Sequence, residues 1–162
     1  MKLQNVPTIR DLLDIAPEKH NDRVFIKYIR DGEVVEKRFS EVRSDGLAVC
    51  RKLRHDIPER THIAFISKST YEYIACMTGV LCACHVAVPI DPDSMAADAA
   101  AIINDSDSTA ILYGEEFADR IEEIKALCPG LKYEMVISPE NCAEIYEKYS
   151  ETSEYASLSD CN

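Results

Sequence analysis

The feature that most constrains this chain is an alternation that begins at His62. Four short apolar runs, HIAFIS (62–67), HVAVPI (85–90), TAILY (109–113) and YEMVI (133–137), are separated by helical stretches at 69–83, 95–104 and 115–127. The runs are apolar throughout rather than at every second residue, and a strand needs that only when both of its faces are covered. Strands of this kind with helices between them predict an α/β fold: a doubly wound, mainly parallel sheet. The run ending in Val86–Ile90 is expected at its centre. Phe117, Ile121, Ile124 and Cys128 mark the buried side of the last intervening helix.

Upstream the pattern differs. Ile9, Leu12, Leu13 and Ala16 recur at helical spacing after Thr8, with Asp11 three residues beyond that cap, and predict a helix from Thr8 to about Lys19. VFIKYI and EVVEKRF are joined at Arg30-Asp31-Gly32-Glu33, the chemistry of a tight β-hairpin. Ser40 is then placed to cap a helix burying Val42, Gly46, Val49, Cys50 and Leu53, which ends near Asp56-Ile57-Pro58. Downstream, Asn141 to Lys148 reads as a short helix. ETSEYASLSDCN has too few apolar residues to pack well, so a frayed or cut end is expected. The organisation predicted is an α/β subdomain over 1–138 and an acidic segment over 139–162.

Composition bounds the function. At 162 residues the chain is long enough for one well-cored domain. Apolar residues make up 46%, but no run approaches the roughly 18 residues a membrane span requires. The start, MKLQNVPTIRDLL, lacks the apolar core of an export signal, so a cytoplasmic protein is expected. Seven cysteines, an odd number, then favour reduced thiols over a disulfide framework. Net charge is −11, and residues 115–162 hold 12 acidic side chains against 4 basic ones. Such a surface repels a phosphate backbone, so no nucleic-acid partner is expected; a solvated acidic face accounts for it.

In an open α/β sheet, ligands bind beyond the carboxyl ends of the strands. Those ends are Ser67-Lys68-Ser69, Asp91-Pro92-Asp93, Gly114-Glu115 and Ser138. The five glycines, at 32, 46, 79, 114 and 130, lie too far apart for a phosphate-cradling loop. Lys68 and Ser69 are the candidates for holding an anion at the start of the next helix, although Ser69 with Glu72 also fits a capping box. Cys76, Cys82, Cys84 and His85 carry zinc-ligand chemistry but lack a second ligand pair at knuckle spacing, and buried free cysteine behaves as a small hydrophobe. No nucleophile motif accompanies the histidines at 20, 55, 62 and 85, of which His62 and His85 stand at strand starts in structural positions. No catalytic or metal-binding residue is assigned.

Four segments nevertheless carry a resemblance. LCACHVAVPIDP resembles the L-K-A-G-x-x-x-V-P-I/L-D-P stretch of the adenylate-forming superfamily, matching at Leu81, Ala83, Val88, Pro89, Ile90, Asp91 and Pro92. RFSEV is similar to that family's T-Y-x-E-L at Phe39, Glu41 and Val42. IAFISKSTYEYIACMTGVLCA and NDSDSTAIL resemble two further segments in the same order. Cys84 stands where the family has glycine, Cys82 where it has lysine, and Arg60-Thr61 where glycine-aspartate precede the strand.

The resemblance implies the N-terminal part of an acyl-CoA synthetase, most like the long-chain fatty-acid CoA ligases, that joins a carboxylic acid to ATP and passes the acyl group to CoA. ATP, Mg and CoA are then the parent's cofactors, and the downstream part of the same chain is the segment's partner. The family's phosphate loop, adenine segment, ribose-binding aspartate and catalytic lysine lie further on, so the 162 residues are expected to be an inactive scaffold that binds none of these tightly. Self-association through an uncovered apolar sheet face is a further expectation. Alternatives are a piece of an amino-acid adenylation domain and a stand-alone non-enzymatic α/β binding module.

Overall fold

A computed structural model describes residues 8–159. Helix α1 (Ile9–Lys19) is followed by an antiparallel hairpin, β1 (Val24–Arg30) and β2 (Glu33–Arg38), and by α2 (Phe39–Asp56). Then come β3 (His62–Ile66), α3 (Tyr71–Cys82), β4 (Val86–Pro89), α4 (Ala96–Asp105), β5 (Ala110–Gly114), a 3-10 turn (Glu115–Phe117) and α5 (Ala118–Leu127). Strand β6 (Tyr133–Ile137), α6 (Pro139–Lys148) and a 3-10 turn at Ala156–Ser159 complete the described chain. The four later strands form one parallel sheet in the order β4-β3-β5-β6.

Strand periodicity divides the core in two. Ile63 and Phe65 of β3, Ala110 and Leu112 of β5, and Met135 and Ile137 of β6 point to one face, where they meet Leu47, Cys50 and Leu53 of α2, Cys76 and Val80 of α3, and Cys142 and Ile145 of α6. Ala64, Ile66, Ile111 and Tyr113 point to the other, against Ala99 and Ile103 of α4 and Phe117, Ile121 and Ile124 from the α5 side. Both faces of the sheet are therefore covered, the reason its strands read as continuous apolar runs. Among the described residues no whole sheet face is left open; the exposed apolar side chains include Val86 of β4, and Phe25, Ile29 and Val34 on the outer face of the hairpin.

Several local expectations hold. Thr8 caps α1 in a capping box with Asp11, and the hairpin turns through Asp31 (φ 52°) and Gly32 (φ 80°), the mirror-image turn whose twist matches the strands. Others need correction. Strand β4 is at the edge of the sheet, not its centre, with Val86 half exposed and Pro89 at its end. An edge strand tolerates a residue with no N–H to donate. Ser40 does not cap α2: that helix begins at Phe39 with Arg38 in the cap position, two residues earlier, the Glu41 carboxylate accepts from the Arg38 N–H at 2.8 Å, and Ser40 donates instead through its N–H and hydroxyl to Asp22, both at 2.8 Å.

The end of the chain also packs better than its composition predicts. Cys142, Ile145 and Tyr149 belong to the same core as β3, β5 and β6, so the core does not break at residue 138. Arg51, buried in α2, donates to the Tyr149 carbonyl at 2.9 Å and to the Ala156 carbonyl at 3.4 Å. Tyr155 packs against Tyr149 with ring centroids 4.6 Å apart and planes tilted by 35°, and meets His55 edge-on. The missing apolar surface is supplied by tyrosine rings and one guanidinium that satisfies the turn carbonyls.

The link from α3 to β4 carries the family-like LCACHV stretch. Its geometry is that of a Schellman turn: the Cys84 N–H donates to the Leu81 carbonyl at 3.3 Å and the His85 N–H to the Val80 carbonyl at 3.2 Å. Such a turn needs a left-handed residue between them, and Cys84 takes that role at φ 60°. The side chain that follows, His85, is buried with neither ring nitrogen hydrogen-bonded. Burial, with Arg54 adding to it, lowers its pKa.

Two outcomes follow from this turn. Replacing Cys84 by Gly relieves the left-handed strain, partly offset by the freer unfolded chain, and raises stability by about 0.5–1 kcal/mol in urea unfolding; a loss of stability rejects the account. At His85 the folded protein keeps a neutral ring where the unfolded chain binds a proton near its ordinary pKa of about 6.5. The folded pKa is depressed, so this contribution is fully present above about pH 6.5 and is lost as pH falls toward the folded value. His85→Leu therefore flattens the decline in stability between about pH 7 and 5, and an unchanged slope refutes it.

Candidate functional site

Strands β3, β5 and β6 end on the same side of the sheet, and the chain beyond them opens onto a cleft of about 370 Å³. Its walls come from the hairpin (Tyr28, Ile29, Arg30), from the start of α3 (Ser69, Thr70, Tyr71, Glu72), from Glu115 and Glu116 after β5, and from Ile137 and Pro139 after β6. A cleft at this position is where the topology of an open α/β sheet places ligands.

The hairpin is held there by charge and by stacked rings. Arg30 pairs with Glu72, whose side chain is almost fully buried, and the Glu72 hydrogen bond raises the Arg30 pKa against the opposing effect of burial. Tyr28 stacks on Tyr71 at 5.3 Å between ring centroids. The Tyr71 hydroxyl donates to Asp45 at 2.5 Å, and the same Asp45 oxygen accepts from Lys37 of β2 at 3.1 Å. Burial first and Asp45 second push the Tyr71 pKa far above the ordinary phenol range, so Tyr71 is a fixed donor.

Of the two residues singled out from the sequence, Ser69 lines this cleft and Lys68 stands exposed beside it, 3.9 Å from Glu116. Ser69 is not the helix cap. Thr70 is: its hydroxyl accepts from the Tyr73 N–H at 3.2 Å, and Glu72, the expected reciprocal partner, turns to Arg30 instead. Ser69-Thr70 offers two adjacent hydroxyls, and the cap falls on the second. Arg30 and Tyr28 were not anticipated; the only sequence sign was an arginine on the inward side of an alternating strand.

The second loop at this edge, Asp91 to Ser94, is built for rigidity. The Asp91 carboxylate accepts from the Asp93 N–H at 2.9 Å and the Ser94 N–H donates to the Asp91 carbonyl at 3.0 Å. Arg120 of α5 donates to the Pro92 and Ser94 carbonyls. The four zinc-type residues are not gathered: Cys76 faces Cys142 in the core, Cys82 is buried, and Cys84 is exposed at its turn. Among the described residues no group of three or more His, Cys, Asp or Glu side chains is arranged to hold a metal ion.

A family model described as AMP-binding enzyme matches residues 13–159. The chain belongs to the AMP-binding enzyme family. A comparison with curated protein sequences gives no match. Among solved structures it is similar to a long-chain-fatty-acid-CoA ligase from Archaeoglobus fulgidus, with 16% identity, a TM-score of 0.76, and coverage of 93% of this chain and 32% of that one. A fatty acyl CoA synthetase of Mycobacterium tuberculosis gives 19% identity, a TM-score of 0.76, and 95% and 30% coverage. The adenylation domain of a carboxylate reductase from Mycobacterium chelonae gives 13% identity, a TM-score of 0.72, and 91% and 25% coverage. The chain thus spans about a third or less of the solved chains it resembles.

In AMP-binding enzymes the departures noted above fall at informative places. Cys84 and Arg60, standing at family glycine positions, both have positive φ, 60° and 58°. Positive φ is the backbone region that glycine adopts at least cost. At the cleft, the side chains do not suit a polyphosphate: Glu72, Glu115 and Glu116 outnumber Arg30 of the lining and Lys68 beside it, and both cations lie next to carboxylates.

The two hydroxyls at the head of α3 separate by mutation. Thr70→Ala is expected to cost about 1 kcal/mol, the usual loss of a helix cap, whereas Ser69→Ala stays within about 0.5 kcal/mol. Equal losses in thermal or urea unfolding contradict the capping assigned to Thr70.

Proposed function

We propose that this chain is the N-terminal scaffold of an AMP-forming acid-CoA ligase. The parent reaction joins a carboxylic acid to ATP, giving an acyl adenylate and pyrophosphate, and then transfers the acyl group to the CoA thiol. A carboxylate is a poor electrophile with no good leaving group; a mixed anhydride with AMP supplies one. The observation that carries the reading is the match to the AMP-binding family over residues 13–159, supported by likeness to acyl-CoA ligases in fold. The likeness to a carboxylate reductase adenylation domain favours adenylation as the step common to the candidates and leaves the acyl acceptor as the finer part of the proposal.

In this reading the 162 residues contribute a wall and no reacting group. Their strand-end cleft is carboxylate-rich and its cations are paired, which supports assigning the triphosphate to groups outside the described residues; Mg and CoA are assigned with it. The carboxylic acid is the parent's small-molecule substrate, the downstream part of the parent chain is the segment's partner, and the cytoplasm, with its ATP and reduced thiols, is its compartment. Self-association, if the isolated chain shows it, is assigned to the exposed Phe25, Ile29 and Val34 of the hairpin.

The isolated chain, given ATP, Mg and a panel of fatty and aromatic acids, is expected to release no acid-dependent pyrophosphate above blank. Robust release overturns the scaffold role. The codons following that of Asn162 test the parent: an open frame encoding a Ser/Thr/Gly-rich loop that ends in Pro-Lys supports the ligase, and an immediate stop codon rejects it.

A further inference from the structure

Two thiols that neither the cleft nor the family likeness explains meet inside the larger core. Cys76, in the second turn of α3, and Cys142, in the first turn of α6, have Sγ atoms 3.9 Å apart, and both are fully buried. Both are free cysteines. A disulfide requires sulfurs about 2.05 Å apart, so joining the pair calls for side-chain rotation and a closing of the two helices. The helices concerned are those whose first turns, at Tyr71, Glu72 and Pro139, flank the strand-end cleft. Between the two cysteines run β4, α4, β5, α5 and β6, so a link here closes a long loop in the unfolded chain, the arrangement in which a crosslink restricts that chain most.

We propose that Cys76 and Cys142 form a reversible, redox-responsive disulfide that joins α3 to α6 beneath the cleft, with a peroxide as oxidant. The Cys142 sulfur attacks one peroxide oxygen; an S–O bond forms, the O–O bond breaks, and hydroxide leaves to take up a proton. The Cys76 sulfur then attacks the resulting sulfenic sulfur, the S–S bond forms, and the S–O bond breaks with loss of water. Two thiols give up two electrons and one peroxide becomes two waters; a dithiol reductant reverses the change by exchange.

Cys142 is assigned as the first nucleophile because it lies in the first turn of α6, the last α-helix of the described chain, whose local opening exposes it first; its contact with Cys76 also lowers its pKa, against the opposing effect of burial. The same contact, and burial, raise that of Cys76. Access comes through local opening of α6, the last α-helix of the described chain, so the pair reacts more slowly than the exposed Cys84. The inference is independent of the ligase reading, since its readouts are a crosslink and a melting temperature.

The test uses the full 162-residue chain with Cys84→Gly and Cys161→Ser, titrated with hydrogen peroxide to exposures well beyond those that fully oxidise Cys84 in the unsubstituted chain. Peptide mapping without reductant is expected to show Cys76 joined to Cys142. Tm is expected to rise by roughly 5 °C and to return on adding dithiothreitol. In a further Cys142→Ala variant the rise is lost. Recovery of both cysteines as free alkylated thiols after denaturation, or an equal rise without Cys142, overturns the proposal.

Discussion

The contact on which the rest of the fold depends is the crossing of α2 and α3. A Cβ added at Gly79 would lie 2.5 Å from the Cβ of Val49 and 2.9 Å from the Gly46 carbonyl oxygen. The two helices therefore approach through bare backbone, and no other side chain fits between them. That approach brings α2, which follows the hairpin in sequence, onto the same sheet face as α3, which connects the two strands β3 and β4. With α2 further out, Leu47, Cys50 and Leu53 lose their seat against β3 and β5, and the hairpin loses its position over the strand ends. Overpacking a contact of this kind typically costs about 1–3 kcal/mol, a large fraction of the stability of a domain this size.

A second constraint concerns where glycine is absent. Residues with φ near +60° cost an L-side chain on the order of 1 kcal/mol, yet Arg60, Cys84 and Asp107 all adopt it at the ends of connections into β3, β4 and β5. Asp107 sits in a second Schellman turn, its N–H donating to the Asn104 carbonyl at 3.3 Å and the Ser108 N–H to the Ile103 carbonyl at 3.0 Å. The register of each parallel strand is set by how its preceding connection ends, so these turns are retained even where the side chain opposes them. Sequence divergence at such positions changes stability without changing the path of the chain.

How much of this was legible depended on the range of the signal. Continuous apolar runs disclosed the parallel sheet because coverage of both faces leaves no alternating pattern, and Asp31-Gly32 disclosed the hairpin because few other pairs accept two positive φ values. Strand order was not legible: Val86–Pro89 is as apolar as a central strand, and only its pairing on one side reveals an edge. At the cleft, Ser69 and Lys68 were found from topology, but Arg30 and Glu72 meet across 42 residues, and no local pattern encodes such a pairing. The packing of residues 151–158 was missed for a similar reason, since Tyr149, Tyr155 and Arg51 supply there what aliphatic side chains would otherwise supply.

The strand ends bear directly on the proposed scaffold role. A sheet whose carboxyl ends are to carry catalysis leaves donors and charges there unpaired, awaiting a ligand. Here the groups at those ends bind each other: Arg30 to Glu72, Lys68 to Glu116, Arg120 to the carbonyls of the Asp91–Ser94 loop, and Lys37 and Tyr71 to Asp45. A buried carboxylate such as Glu72 is held by its partner at the cost of any freedom to meet a substrate. Self-satisfied edges of this kind fix loops and walls in place, which is what the proposed scaffold role asks of them.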